Sequence, residues 1–155
     1  MRASDFQQSK TTVRQISTED PLYAEERMLR NKVLLRPIGL ADHAWEMHDN
    51  RAWHFVAFDG SSVIGCVLLL PLIQDPKMAQ LLQMAVDIEY QGRGIGQLLI
   101  DHLVDFAAAH DFEQIICHAR SNAVKFYEKN GFEVYGGTFI EVGLLHYHMK
   151  RNIKK

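Results

Sequence analysis

Cysteine is scarce in this chain, two in 155 residues, which removes a disulfide-stapled scaffold from consideration. Cys66 and Cys117 each sit in an apolar, strand-like run, so reduced, buried thiols are the expectation. Proline is also rare, at four residues, too few for an extended proline-rich linker. No apolar run approaches the roughly 18 residues of a membrane-spanning helix. Met1-Arg2-Ala3-Ser4-Asp5 lacks the apolar core of an export signal. Charge of one sign is missing too: 17 Lys and Arg against 19 Asp and Glu leave a net −2, which makes no electrostatic case for nucleic acid or an anionic membrane. A cytoplasmic protein without membrane or nucleic-acid partners is expected.

With 47% hydrophobic and 23% charged residues, the composition is that of a globular domain. At this length about 70% of the unfolded surface can be buried, enough for one core. Residues 1–10 are polar and aperiodic and read as a flexible N-terminus, 11–150 as one domain, and 151–155 as a solvated basic tail. Thr12 to Ile16 alternates as a first strand. Pro21 opens an amphipathic helix with Glu25, Glu26 and Arg27 outside and Tyr23, Met28 and Leu29 toward the core, ending before Pro37. Leu40 to Asn50 fits neither period. Trp53 to Phe58 and Val63 to Ile73 are strands joined at Asp59-Gly60. Leu81 to Val86 is another. Helix 94–110 lines up Leu98, Leu99, Leu103, Phe106 and Ala107. Gln114 to His118 is a strand, Ser121 to Lys129 a capped helix, and Glu133 to Tyr135 and Leu144 to Met149 close the pattern. The order predicts an α/β fold with a mixed sheet.

The most informative run joins Val86 to Gln97 through Gly92, Gly94 and Gly96. Backbone N–H groups at a helix start are unpaired, and the helix dipole adds partial positive charge. Glycines remove the Cβ atoms that would hold a bulky anion away. This spacing makes a phosphate cradle. It is neither G-x-G-x-x-G nor a Walker loop, which needs Lys and Ser/Thr where Gln97 follows Gly96. The run resembles the acyl-CoA site of the GCN5-related N-acetyltransferases, Gln/Arg-x-x-Gly-x-Gly/Ala, with Gln91, Gly94 and Gly96 at the specified positions. Ser121 to Phe132 resembles the same family's second signature, a short helix bearing a tyrosine before a Gly-Phe stop. The resemblance spans roughly residues 51 to 150.

It implies the acyl-CoA N-acyltransferase fold, a single-domain, mainly antiparallel mixed sheet with splayed central strands flanked by helices. It implies acetyl-CoA as cosubstrate and an amine as acceptor; direct attack by the amine in a ternary complex is expected, because no nucleophile is spaced to act as a covalent relay and nothing adjacent activates Cys117. The diphosphate would be held by Gln91, Gly92, Arg93, Gly94, Ile95, Gly96 and Gln97. The pantetheine arm would run along Met84, Ala85 and Val86, one of whose N–H groups would stabilise the oxyanion. Asn122 would touch the arm, and Tyr127 would be the general acid returning a proton to the CoA thiolate.

The general base has three candidates. His118 lies near the end of the strand before Ser121. Glu141 and His146 belong to Phe139-x-Glu141-x-Gly143-Leu144-x-His146-x-x-Met149, an ending similar to that of ElaA- and YjcF-like acetyltransferases of uncharacterised substrate. Asp87 and Glu89 read as solvated turn residues. Eight histidines raise the question of metal, and His146-x-His148 is a feasible ligand pair, but acyl transfer by this route requires no metal and none is assigned. Arg30 or Arg36 at the acceptor mouth would suit a carboxylate-bearing acceptor, an acidic mouth a polyamine or lysine, and a small amine metabolite is favoured. An edge strand near the C-terminus suits a homodimer. The rival reading is a non-catalytic acyl-CoA sensor or interaction module, and a weaker one a plain nucleotide-binding protein.

Overall fold

The computed structural model describes residues 11–153, so the polar N-terminal ten lie outside the described residues. Its elements are β1 (Thr11–Ile16), α1 (Leu22–Arg30), β2 (Trp53–Asp59), β3 (Ser62–Pro71), β4 (Met78–Val86), α2 (Ile95–Ala109), β5 (Gln114–Arg120), α3 (Val124–Lys129), β6 (Glu133–Glu141) and β7 (Leu144–Asn152). The strands follow the order β1-β2-β3-β4-β5-β7-β6. Pairing is antiparallel for β1–β2, β5–β7 and β6–β7 and parallel for β4–β5, a mixed α/β sheet of the class the sequence predicts. The described residues form two compact units, 11–68 with 83–103, and 69–82 with 104–153.

β3, whose residues 62–68 belong to the first unit, is buried along nearly its whole length. Its unbroken apolar run is what a strand covered on both faces requires. Ile16, Leu29, Val56, Val63, Cys66 and Ala85 form a core cluster here. Gly65 lets α2 approach: a Cβ there would stand 3.1 Å from side-chain atoms of both Ile95 and Leu99. The inward stripe of α2 includes Ile95, Leu99, Ile100 and Leu103, while Leu98 is only half-buried. The helix of α1 continues as a π-turn over Asn31–Leu35 and a 3-10 turn over Arg36–Ile38. The chain therefore runs through Pro37 rather than stopping before it, since a proline in the first turn of a new helical segment loses no bond.

Two assignments on α1 are corrected. Glu26 is fully buried and Met28 is 66% exposed. Leu22, Glu26, Leu29 and Arg30 share one face at helical spacing, and the geometry overrides the polarity of Glu26 because it finds buried partners.

In the second unit, β5 alternates, with Ile115, Cys117 and Ala119 inward. Both cysteines are free and buried. The Ser121 cap is not formed: Ser121–Ala123 is a 3-10 turn and Ala123 precedes α3 without a side-chain cap bond. Gly131, at φ 86°, supplies the left-handed stop. β7 reaches Asn152, so Arg151 and Asn152 lie in the sheet, and Arg151 Nη1 donates to the Asn130 carbonyl at 2.6 Å.

Candidate functional site

β4 delivers the glycine run. Its parallel register with β5 runs from Met78↔Gln114 to Gln80↔Ile116. The strand then passes through Gln83, whose φ of 55° is a left-handed backbone rare for a side-chain-bearing residue. Met84 and Val86 are half-buried and Ala85 is buried. After Val86, Asp87 accepts from the Glu89 amide and the chain turns through Ile88–Tyr90. Asp87 also pairs with Lys32 at 3.2 Å, so it holds the turn rather than standing free in solvent. Gln91 Nε2 donates to the Val86 carbonyl at 3.0 Å, which ties the loop to the strand end. Gly92 (φ 80°) and Gly94 (φ 79°) take the left-handed conformation, and a Cβ on either would meet nothing within 4 Å.

The first intrahelical bond of α2 runs from the Leu98 amide to the Gly94 carbonyl. The Ile95, Gly96 and Gln97 amides precede it, as the orphan donors of a helix start do. Gly92, Arg93, Gly94 and Gln97 are exposed. Arg93 lies over the Tyr90 ring, 5.1 Å from its centroid. Open space beside unpaired donors, with an adjacent guanidinium, is the chemistry a diphosphate needs, so these residues fit the phosphate end of acyl-CoA.

Tyr127 is buried on α3, edge-on to Phe126 and Phe132. Burial first, and Cys117 second, raise its pKa above the ordinary tyrosine value. Burial likewise pushes the Cys117 thiol up to about 12, which leaves it a poor nucleophile. Asn122 is exposed in the 3-10 turn ahead of α3.

The three base candidates come together in the second unit. Glu141 Oε2 stands 3.5 Å from His118 Nδ1, and its Oε1 stands 3.7 Å from His146 Nε2. His146 Nδ1 lies 2.9 Å from the Leu144 carbonyl. A carbonyl can only accept, so Nδ1 carries the proton and Nε2 is the nitrogen turned to Glu141. Sheet register explains the meeting: Arg120↔His146, His118↔His148 and Phe139↔His146 put these side chains on one face. The Phe139 ring stacks on both His146 and His148, with centroids 5.5 and 4.3 Å away.

Sequence reasoning missed a charged cluster in the first unit. Arg30 Nη1 donates to Glu26 and Asp49, both at 2.9 Å, and Nη2 donates to Asp49 at 3.1 Å and to the Trp45 carbonyl at 2.8 Å. His54 Nδ1 meets Glu26 at 2.9 Å and Nε2 meets the Asp49 carbonyl at 2.8 Å. Tyr23 donates to Asp49 at 2.5 Å. Glu26, Asp49 and His54 have metal-ligating spacing, but the Arg30 guanidinium already serves both carboxylates. Both His54 nitrogens face acceptors, so the ring is an imidazolium, and two cations balance two anions. Burial opposes that charge, but the Glu26 bond and charge and the Asp49 carbonyl outweigh it and raise the His54 pKa. Arg30 is therefore consumed in the core and cannot receive an acceptor carboxylate. Arg36 is exposed and pairs with Asp42 at 2.7 Å. The i,i+4 spacing of Glu26 and Arg30 was the available signal.

Comparison with known proteins agrees with this geometry. The human N-acetyltransferase 8B is 30% identical over 95 residues, 57% of this chain and 41% of that protein, so the chain spans less than half the length of this relative. Escherichia coli ElaA superposes with a TM-score of 0.81 at 16% identity, covering 91% of this chain and 99% of that one. A GNAT family acetyltransferase from Elizabethkingia anophelis, solved with acetyl-CoA bound, superposes with a TM-score of 0.72 at 16% identity, covering 92% and 98%. Residues 32–153 match the family model of the acetyltransferase (GNAT) domain, and the chain is a member of that family.

Proposed function

We propose that the protein transfers the acetyl group of acetyl-CoA to a primary amine, by direct attack in a ternary complex. The observation that carries this reading is the loop from Gln91 to Gln97, whose donors precede the Leu98–Gly94 bond and in which Gly92 and Gly94 leave open space. In this reading the Gly92 to Gln97 amides bind the diphosphate, and main-chain groups of Met84 to Val86 pair with the arm. One of those N–H groups faces the thioester oxygen and stabilises the oxyanion, the largest single contribution in acyl transfer.

Tyr127 protonates the leaving thiolate. Against ordinary values of about 10 and 8.5 the transfer is uphill by roughly 1.5 units, or about 2 kcal/mol. Burial raises Tyr127 further, which makes its hydroxyl a weaker acid and adds to that gap. Asn122 contacts the arm. Cys117, with its thiol held near 12, forms no acyl intermediate, so attack is direct. The Glu141 carboxylate, flanked by His118 and His146, takes the proton that an ammonium must lose. An acceptor nitrogen is attracted to that carboxylate before it is deprotonated, which favours a cationic small amine.

Thiol release from acetyl-CoA across a panel of polyamines, amino acids, peptides and aminoglycosides tests the proposal. Release above the hydrolysis rate with at least one amine supports it. Acetyl-CoA binding with no release across the panel would favour a sensor module instead.

A further inference from the structure

We infer that the side-chain carbonyl of Gln83 is a ligand-binding group that accepts a hydrogen bond from an amide N–H of the acyl-CoA arm. This rests on the acyl-CoA reading above. Two unfavourable features coincide at this residue. Its backbone is left-handed, φ 55°, in the middle of a strand. Its Oε1 is buried with no hydrogen-bond partner among the described residues. Either feature is destabilising alone, and strained or unsatisfied groups held in place by their surroundings concentrate where ligands bind.

Sequence context sharpens the point. Leu81, Leu82, Met84, Ala85 and Val86 are apolar, so a Leu or Met at 83 would fill the space without stranding a polar atom. The main-chain carbonyl of Gln83 accepts from Cys66 Sγ at 3.4 Å. A strand edge that receives an extended, amide-bearing ligand alternates donors and acceptors. At residue 83 the left-handed backbone breaks the alternation of the strand and the Cys66 thiol engages the carbonyl, and the side-chain carbonyl serves as a further acceptor. Gln83 immediately precedes Met84 to Val86 on the strand that feeds the cradle, all within one compact unit. The acyl-CoA arm carries two secondary amides, each with one N–H, and one of them is the missing donor.

Calorimetric titration of acetyl-CoA and of adenosine 3′-phosphate 5′-diphosphate, which keeps the diphosphate and lacks the arm, into the wild type, Gln83→Met and Gln83→Leu tests this. Both variants should weaken acetyl-CoA by about 3- to 30-fold, the loss of one hydrogen bond to a buried acceptor. Their affinity for the diphosphate should stay within about twofold of wild type. Without ligand, their melting midpoints should equal or exceed wild type, because a stranded polar atom has been removed. A lowered ligand-free midpoint with equal losses for both ligands would mean a structural role and overturn the inference. Unchanged acetyl-CoA affinity would also overturn it, including where KM for an amine rises, since the donor would then be the acceptor nitrogen. Wild-type protein that binds neither ligand would remove the acyl-CoA reading itself, a failure visible before any variant is compared.

Discussion

At Tyr127 the hydroxyl keeps its proton throughout the physiological range, because burial and then Cys117 hold its pKa above the usual tyrosine value. That keeps the proton in place at neutral pH and at the same time makes the hydroxyl a weaker acid. Tyr127→Phe keeps the packing against Phe126 and Phe132 and deletes the proton. It should lower kcat at least 10-fold while calorimetry returns a near-normal acetyl-CoA affinity; an unchanged kcat removes Tyr127 from the mechanism. At His54 the raised pKa carries a pH signature with a definite sign. The unfolded ring titrates near 6.5, and the folded one above it. Stability from the imidazolium is complete below about pH 6.5 and is lost as pH rises through the folded value. Thermal melts between pH 5.5 and 9 should therefore show the gap between wild type and His54→Gln widest at the acid end and shrinking upward. A gap constant with pH would mean that folding leaves the His54 pKa unshifted, and a gap widening upward that the ring is held neutral in the fold. Cutting one carboxylate from the cluster strands buried Arg30, and Asp49→Ala should cost about 3–5 kcal/mol in denaturant melts.

Among the elements, those set by local rules were legible in the chain. The glycine spacing and the apolar stripe at Leu99 and Leu103 define the α2 start without tertiary information, and the Gly131 stop is likewise local. What escaped depended on partners distant in sequence. Glu26 looks like a surface residue until Asp49, 23 positions on, and His54, 28 positions on, surround it. Ser121 is a good cap by type, yet the 3-10 turn at Ser121–Ala123 moves the helix start to Val124. Gln83 is one of two amides in β4, beside Gln80, and only the fold, through its left-handed backbone and an Oε1 without a partner among the described residues, marks it out. The β4–α2 element makes its own prediction. Gly94→Ala places a side chain at φ 79°, at about 1–2 kcal/mol in stability, and crowds the cradle. Acetyl-CoA affinity should fall more than that strain alone accounts for, as measured by calorimetry below the variant's melting range. Gly65→Ala should behave differently. Its Cβ meets Ile95, Leu99 and the Ala85 carbonyl at 3.1–3.3 Å, so about 1–3 kcal/mol of stability should go, read from the denaturant midpoint.

For the whole molecule, element order was readable, whereas the sheet order was not. β7 inserts between β5 and β6, a long-range pairing that no local pattern specifies. That insertion is what brings His118, Glu141 and His146 onto one face, so three separate base candidates in the sequence become one cluster in the fold. Among the described residues no helix is long and apolar enough to cross a membrane. The functional account depends above all on the grip of the Gly92 to Gln97 amides on the diphosphate of coenzyme A. Amide-detected NMR of 15N-labelled protein titrated with acetyl-CoA measures that directly. The account predicts that the largest amide shifts fall between Gly92 and Gln97, with hydrogen exchange slowed there on binding. Shifts confined to other regions, or none at saturating ligand, would contradict it.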